Sequence, residues 1–472
     1  MKVNSVLLVR VSSSVDKNVE HPQFFDPPYA LKCLQAGLDK QKDLQVRLLD
    51  CWIRPMSVSG LLDYTTTNRP DLVVVSASSF DIDVADEYVN ELKTQEHPPM
   101  IVGIGQGFYH HRDRTQEHSE LYDAILLGEP EQEFFQLYDR MRADPSATAD
   151  WRAHYRKTFD EGKRFMVEEP DSLVFPSYTT DELAAYQSIF PVPVPRRVVW
   201  GYLIATRGCP HNCMFCSEVM RVSTGKRLRS RSASNVADEL EHLARQGVNI
   251  CSFQDDSFSA NRKFMQSLCE ELIARKLKMP WMARVRVDEL NYDLLVLMKK
   301  AGCVMLGIGV ESGSERIIKA MRKQGNGRPW LELCRQVFGW TRELGIGTNA
   351  YYVIGNPTET REEIEQTIRL ALELNSDSIQ VHFYTPYPGS AAWDQYKDQM
   401  ADSVSKQLYH YARPLLSVAA VSPDELVKLR SSFYKRYLFR SGFAFRHMRR
   451  YGLFYLHNPN IFWRLLGIRK IF

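Results

Sequence analysis

At 472 residues the chain exceeds what one ordinary hydrophobic core accommodates, so two or three domains are expected. A composition of 44% hydrophobic and 25% charged residues is that of a globular protein, and no apolar run reaches the roughly 18 residues a membrane-crossing helix needs. Net charge is only +3, but Leu426 to Phe472 holds eleven Lys and Arg and no Asp or Glu, which leaves about −8 on the remainder.

The opening stretch MKVNSVLLVRVSSS has an apolar run too short and too β-branched for a signal peptide. Nine cysteines, an odd number without disulfide-like spacing, suit a reducing, cytoplasmic setting where clustered cysteines mean metal. The first 140 residues alternate short apolar runs with helical patterns. SVLLVRV, QVRLLDC, DLVVVSAS, PMIVGIGQG and DAILLGEPE read as strands, with helices such as YALKCLQAGLDKQ and DVADEYVNELKTQ between them. Apolar strands separated by helices predict a parallel sheet covered on both faces, a doubly wound domain of the Rossmann or flavodoxin type. Ligands of such sheets bind at the carboxyl ends of the strands. Those ends are Ser76 to Ser79, Gly103 to Gly107 and Gly128 to Glu131, small enough for close backbone approach, although glycines also simply make βα turns.

Residues 141–197, punctuated by EEPDSLVFPSY and FPVPVPRR, read as a linker. A second α/β region spans 198–400, with strands at GYLIAT, ICSFQD, WMARVR, VMLGIGV, TNAYYVIG and SIQVHFY. A capping box, Thr360 with Glu363, opens one intervening helix, whose apolar face is Ile364, Ile368 and Leu372. Six strand–helix repeats predict a partial, TIM-like (β/α)6 barrel with its chemistry at the C-terminal strand ends. Residues 401–472 form the helical, basic and aromatic tail.

After the first barrel strand comes ATRGCPHNCMFCSE, in which Cys209, Cys213 and Cys216 fall within eight residues. Thiolates suit iron–sulfur clusters, copper(I) or zinc. A closed structural zinc site takes four ligands and a 4Fe–4S cluster normally takes four cysteines, so three leave one position open. Cys251, Cys269, Cys303 and Cys334 sit in predicted strands and helices without paired spacing and are expected to be buried small hydrophobes.

The spacing C-x3-C-x2-C, with Phe215 before the last cysteine, resembles the cluster loop of the radical S-adenosylmethionine (SAM) superfamily. The resemblance implies a 4Fe–4S cluster whose open iron is chelated by SAM, reductive cleavage to a 5′-deoxyadenosyl radical, and an external electron donor of the flavodoxin or ferredoxin type. It places SAM contacts at Phe215, at Asp255 and Asp256 in FQDDSF, at Arg286 in ARVRVD, at Glu311 and Ser312 in GVESGSE, and near VIGNP. The alternatives are that Asp256 caps a helix, that Arg286 forms an ion pair and that ESGS is a turn. The domain order and the closing YTPYPGS resemble the class of these enzymes with a cobalamin-binding domain. Cobalamin would then meet Ser76, Ser78, Gly103, Gly105, Gln106, Gly107, Gly128 and Glu129. The D-x-H-x-x-G motif, which supplies an axial histidine to cobalt in many cobalamin domains, is absent from the sequence.

The function this implies is C-methylation of an unactivated carbon in a small molecule or lipid. The alternatives are a cyclase or oxidoreductase of the same build, a tRNA methylthiotransferase, and a non-catalytic metal scaffold. A methylthiotransferase carries a further cysteine triad in its first domain, where this chain has only Cys33 and Cys51. The acid-free tail suits an anionic membrane surface, with nucleic acid or plain packing on the barrel as the other readings. Nucleic acid is not the expected partner.

Overall fold

The computed structural model describes residues 3–13, 26–79, 81–111, 114–144, 147–186, 188, 191–216, 225–323, 327–387, 390–399, 414–416, 418–461 and 463. It divides into two compact units, one of residues 1–187 and 218–225, the other of 188–217 and 226–472.

In unit 1, six parallel strands stand in the order β2-β1-β3-β4-β5-β6. They are β1 (Ser5–Arg10), β2 (Gln45–Asp50), β3 (Leu72–Ser76), β4 (Met100–Ile104), β5 (Ala124–Gly128) and β6 (Arg164–Phe165). The first five positions of this order are those of flavodoxin-like sheets. The connecting helices are α1 (Tyr29–Leu38), α2 (Val58–Asn68), α3 (Ile82–Lys93), the short α4 (Gly107–His110), α5 (Thr115–Leu121) and α6 (Pro130–Ala143). The twofold alternation of a strand splits each apolar run between two cores. Leu7, Val9, Val73, Val75 and Ile101 pack into one core, and Val6, Leu8, Leu72, Val74 and Val102 into the other.

The proline-punctuated segment is not a simple linker. It contains α7 (Thr148–Asp160), strand β6 and the short α8 (Thr180–Ala185). Trp151 and Tyr155 of α7 enter the second core. Beyond β6, Glu182 bonds Lys32 at 2.9 Å, and the Tyr186 hydroxyl donates to Asp50 at 2.6 Å. Prolines set the local turns, but buried aromatics between them decide where the segment lies.

Unit 2 is built on a six-stranded parallel sheet in the order β14-β13-β12-β11-β10-β7, the partial-barrel arrangement with β7 and β14 as edges. Its strands are β7 (Trp200–Leu203), β10 (Ile250–Phe253), β11 (Trp281–Val285), β12 (Cys303–Glu311), β13 (Gly347–Ile354) and β14 (Ser378–Phe383). A two-stranded ribbon, β8 (Thr206–Arg207) with β9 (Arg229–Ser230), stands beside the first strand's exit. The helices are α9 (Ala233–Arg245), α10 (Arg262–Ala274), α11 (Tyr292–Lys300), α12 (Glu315–Ala320), α13 (Trp330–Glu343), α14 (Arg361–Leu374) and α15 (Ala391–Tyr396). Thr360 and Glu363 form the expected reciprocal capping box on α14.

Two tail helices follow, α16 (Pro423–Leu438) and α17 (Phe443–His457). Helix α16 packs Phe433 against Tyr352, with ring centroids 5.3 Å apart. Helix α17 crosses the N-terminal ends of the strands. Arg450 reaches Asp377 and the Gly345 carbonyl, just before β14 and β13. Asn458, just past the helix, bonds the Val198 amide and the Arg196 carbonyl, just before β7. The helix thus links the two edges of the open sheet. Phe462 and Phe472, two aromatics of the tail, lie outside the described residues.

Trp151 is 4% exposed. Trp151→Ala should therefore cost about 3–5 kcal/mol, read by chemical denaturation of the full chain. An unchanged midpoint would mean that α7 is an appendage rather than part of the core.

Candidate active site

The site begins where β7 ends. Asp255, just beyond β10, is buried, and both its oxygens hold that exit. The amides of Ala205 and Thr206 donate to it at 2.9 and 2.7 Å, and the Thr206 hydroxyl at 2.8 Å. Arg231 adds its amide to the Ala205 carbonyl at 3.0 Å and its guanidinium to the Ile204 carbonyl at 3.1 Å. The cysteine loop starts from this clamp. Gly208, with φ +91, gives it a backbone turn that a side chain would strain.

Cys213 is buried, while Cys209 and Cys216 are half-buried. Around them the loop is tied down at several points. The Met214 amide donates to the Met321 carbonyl at 2.9 Å, and the Met214 carbonyl accepts from the Ala392 amide at 3.1 Å. His211 bonds Glu289 at 2.5 Å. Burial pushes the Cys209 thiol up from its ordinary value. Among the described residues no three His, Cys, Asp or Glu side chains are gathered as a ready metal site. The donor chemistry nevertheless fits an iron–sulfur cluster, because three soft ligands share one anchored loop. A cation also attends one of them, since Arg286 Nη1 lies 3.5 Å from Cys213 Sγ.

The other expected contacts divide into open and engaged groups. Arg286 forms a two-point pair with Asp288, at 3.0 and 2.9 Å, and its guanidinium carbon lies 5.1 Å from the Trp330 ring centroid. Asp256 is half-buried and its charge acts on Cys209, so the cysteine loop and FQDDSF meet. Glu311 ends β12 with φ +69, a backbone conformation costly for a non-glycine residue, and is ion-paired with Lys323. Lys323 Nζ in turn lies 5.9 Å from the Phe215 ring centroid. Ser312 is fully buried and bonds Thr367 at 3.2 Å, an internal role. In VIGNP, the Gly355 and Asn356 amides donate to Glu359 at 2.7 and 2.9 Å. The buried Asn356 Oδ1 and Glu359 Oε1 find no hydrogen-bond partner among the described residues, leaving two acceptors there. Lys323, Asp288 and Glu289 were not singled out from sequence. Asp288 closes the ARVRVD motif, Glu289 follows it directly and Lys323 lies eight residues past GVESGSE, but nothing in their spacing shows where their side chains point.

At the strand ends of unit 1, the glycines answer to packing. A Cβ on Gly105, which has φ +105, would lie 2.5 Å from the Ala77 carbonyl oxygen, and one on Gly107 would lie 2.6 Å from that of Ser78. A Cβ on Gly103 would meet Phe108, and Gly128 turns with φ +93. Ser78 donates to Asp81 at 2.6 Å. Glu129 is buried and accepts the Val167 amide at 2.6 Å, holding the segment after β6. Gln106 is exposed and Ser76 half-buried at the same edge.

Burial raises the Asp255 carboxyl to about 7, against the opposing pull of its three donors. With an unfolded value near 3.9, the folded state then holds the extra proton between about pH 4 and 7. The stabilisation from that proton is complete below pH 4 and lost as pH rises through about 7. Asp255→Asn should remove this pH dependence. It should also destabilise the protein by about 1–3 kcal/mol, because an amide NH2 replaces an acceptor facing donors. Unfolding midpoints of both proteins from pH 4 to 8 check this; parallel curves would contradict it.

Residues 203–371 match the radical SAM superfamily. Over 445 residues the chain is 26% identical to the uncharacterized methyltransferase PH0819 of Pyrococcus horikoshii, covering 93% of each chain. It is 25% identical over 429 residues to the anaerobic magnesium-protoporphyrin IX monomethyl ester cyclase of Rubrivivax gelatinosus, covering 88% of this chain and 74% of that one. The solved structure of the radical S-adenosylmethionine methyltransferase TsrM from Kitasatospora setae, with cobalamin and a 4Fe–4S cluster bound, superposes with a TM-score of 0.61 at 18% identity. That likeness of fold covers 85% of this chain and 79% of TsrM. With a three-cysteine loop at the exit of the first barrel strand and the superfamily match running over residues 203–371, the chain carries a radical SAM domain and is an enzyme built on it.

Proposed function

We propose that this radical SAM enzyme is a cobalamin-dependent C-methyltransferase acting on an unactivated carbon of a small molecule or lipid. The observation that carries the reading is the presence in one chain of a flavodoxin-ordered sheet and a radical SAM domain. The two long alignments add support, one relative being named a methyltransferase. The other is named a cyclase, which keeps non-methylating ring closure as the second reading. A methylthiotransferase is disfavoured, because Cys33 and Cys51 are both buried and burial pushes the Cys51 thiol up to about 12, far from a ligating thiolate.

Cys209, Cys213 and Cys216 would hold a 4Fe–4S cluster that leaves one iron site to SAM. When bound, the cluster supplies the electron that splits SAM, drawn from an external donor of the flavodoxin or ferredoxin type. Arg286 would set a positive charge beside Cys213 and the SAM carboxylate, and the Glu311–Lys323 pair would hold the adjoining wall. Asp255 is read as a positioning residue for the loop, and Asp256, whose charge acts on Cys209, is read as the partner for the SAM amino group. Cobalamin, which supplies a methyl carrier when bound, would take the C-terminal edge of the unit 1 sheet. The open Ser76 and Gln106 fit that role, and Gly105 and Gly107 allow the loops there to close together. The domain that would hold it is read as residues 1–187 rather than 1–140, because α7, β6 and α8 belong to unit 1.

The test is anaerobic reconstitution with iron, sulfide, cobalamin and methyl-labelled SAM. About four irons per chain and release of 5′-deoxyadenosine are expected, and Cys213→Ala should lose at least a hundredfold in that release. Label passing into a product supports methyl transfer; 5′-deoxyadenosine with an unlabelled product supports the cyclase reading. Normal SAM cleavage by Cys213→Ala would overturn the site.

The tail extends the proposal to location. No helix among the described residues is long and apolar enough to cross a membrane. Among the described residues, seven of the eight exposed large hydrophobics lie between Leu438 and Trp463, including Phe439 at 82%, Phe445 at 72% and Leu456 at 76%. Helix α17 buries Tyr451, Phe454 and Tyr455 and turns Phe445, Arg449, Leu453 and Leu456 outward. Aromatic and aliphatic side chains among arginines, without acids, match an anionic lipid interface. The protein should sediment with vesicles containing anionic phosphatidylglycerol and not with neutral phosphatidylcholine, and Phe445→Ser with Leu456→Ser should weaken this about tenfold. Equal binding to duplex DNA by both proteins, without vesicle binding, would overturn it.

A further inference from the structure

The inner face of the barrel sheet carries a cation that the proposed mechanism leaves unused. A Cβ on Gly201 of β7 would meet Val248 and Leu243, so Gly201 faces the helices. By alternation, its neighbours Trp200 and Tyr202 face inward, and so do their register partners along the sheet. In this register Tyr202 pairs with Ser252 and Ser252 with Met282, so Met282 and Arg284 share the inner face. Arg284 is exposed although it lies in a strand flanked on both sides, while the rest of β11 is buried.

Around Arg284 the wall is polar. Its row continues through Gly307, Asn349 and Ser378, and the next row holds Gly309, Tyr351 and Gln380. Gly307 lets the Tyr351 ring and hydroxyl lie close over the strand, since a Cβ there would sit 2.8 Å from that hydroxyl. Ser378 donates to Asn349 at 3.1 Å, and Asn349 lies 3.4 Å from the Tyr351 hydroxyl. Inner-face positions of the six strands bear no Asp or Glu except Glu311, which is paired with Lys323. Among the described residues, Arg284 has no hydrogen-bonded or ion-paired partner. Two residues on, about 6.6 Å along the strand at roughly 3.3 Å per residue, Arg286 stands beside Cys213.

A guanidinium inside a polar, acid-free wall is placed for an incoming oxyanion, which it can grip at two points. We propose that Arg284 is a specificity-determining residue that binds a carboxylate or phosphate group of the substrate within the barrel. This rests on reading the inner face as the substrate chamber of the radical SAM enzyme. The proposal narrows the substrate class to compounds with an anionic group a few ångströms from the carbon that reacts.

Selective arginine modification by phenylglyoxal, mapped by peptide mass, tests this on the reconstituted full chain without any turnover. Four arms are compared: no addition, saturating SAM, SAM with inorganic phosphate, and SAM with acetate. Arg284 should be modified in the first two arms and at least about fivefold more slowly with phosphate or acetate. Whichever anion protects names the oxyanion class. The exposed Arg446 and Arg449 should react alike in all four arms. Full protection by SAM alone would assign Arg284 to the SAM carboxylate, and no protection by either anion would make it a solvated cation; both outcomes overturn the proposal. Because no product is measured, failure here is distinct from failure of the methyl-transfer reading.

Discussion

A carboxylate taken out of water has to be satisfied by hydrogen bonds, and in this barrel one such group organises the reactive end. Asp255 follows β10, yet its oxygens hold the backbone of residues 205 and 206, where β7 ends. The link ties the exits of two neighbouring strands and fixes the point from which the cysteine loop departs. Arg231 donates to the carbonyls of Ile204 and Ala205 at the same exit and forms a buried pair with Glu239. An unpaired charge in either group would be expensive, so the two clamps hold only in the folded arrangement. The loop that carries the three thiols departs from this frame.

The same economy governs unit 1. Its glycine-rich strand ends look made for a ligand, but two of the glycines are required by neighbouring backbone. The loops after β3 and β4 approach within the volume of a methyl group. Close packing of loops and closeness to a ligand have the same requirement, the absence of a side chain, and one glycine can meet both.

The barrel presents two chemically different faces. Its helix-covered face buries residues such as Leu306, Ile308, Ala350 and Tyr352, while the inner face is polar around Arg284. Helix α17 crosses the N-terminal ends of the strands, and the cysteine loop, Arg286 and Glu311 stand at the opposite, C-terminal ends.

The amino-acid order by itself determined the element types, the two parallel sheets and the cysteine loop. Each of these is a local pattern: an apolar run bounded by turns, a capping pair three residues apart, three thiols in eight residues. It also marked the tail as basic and aromatic. Tertiary structure alone decided that α7 and β6 complete the first unit, because Trp151 and Tyr155 find their core among residues far away in sequence. It decided that Asp255 and Ser312 serve the frame, since a carboxylate's or hydroxyl's role follows from which donors reach it. It likewise decided that the tail aromatics divide between core and surface, and that Arg284 shares a wall with Asn349 and Gln380. Such pairings arise from sheet register across tens of residues, and register is set by packing the whole sheet at once.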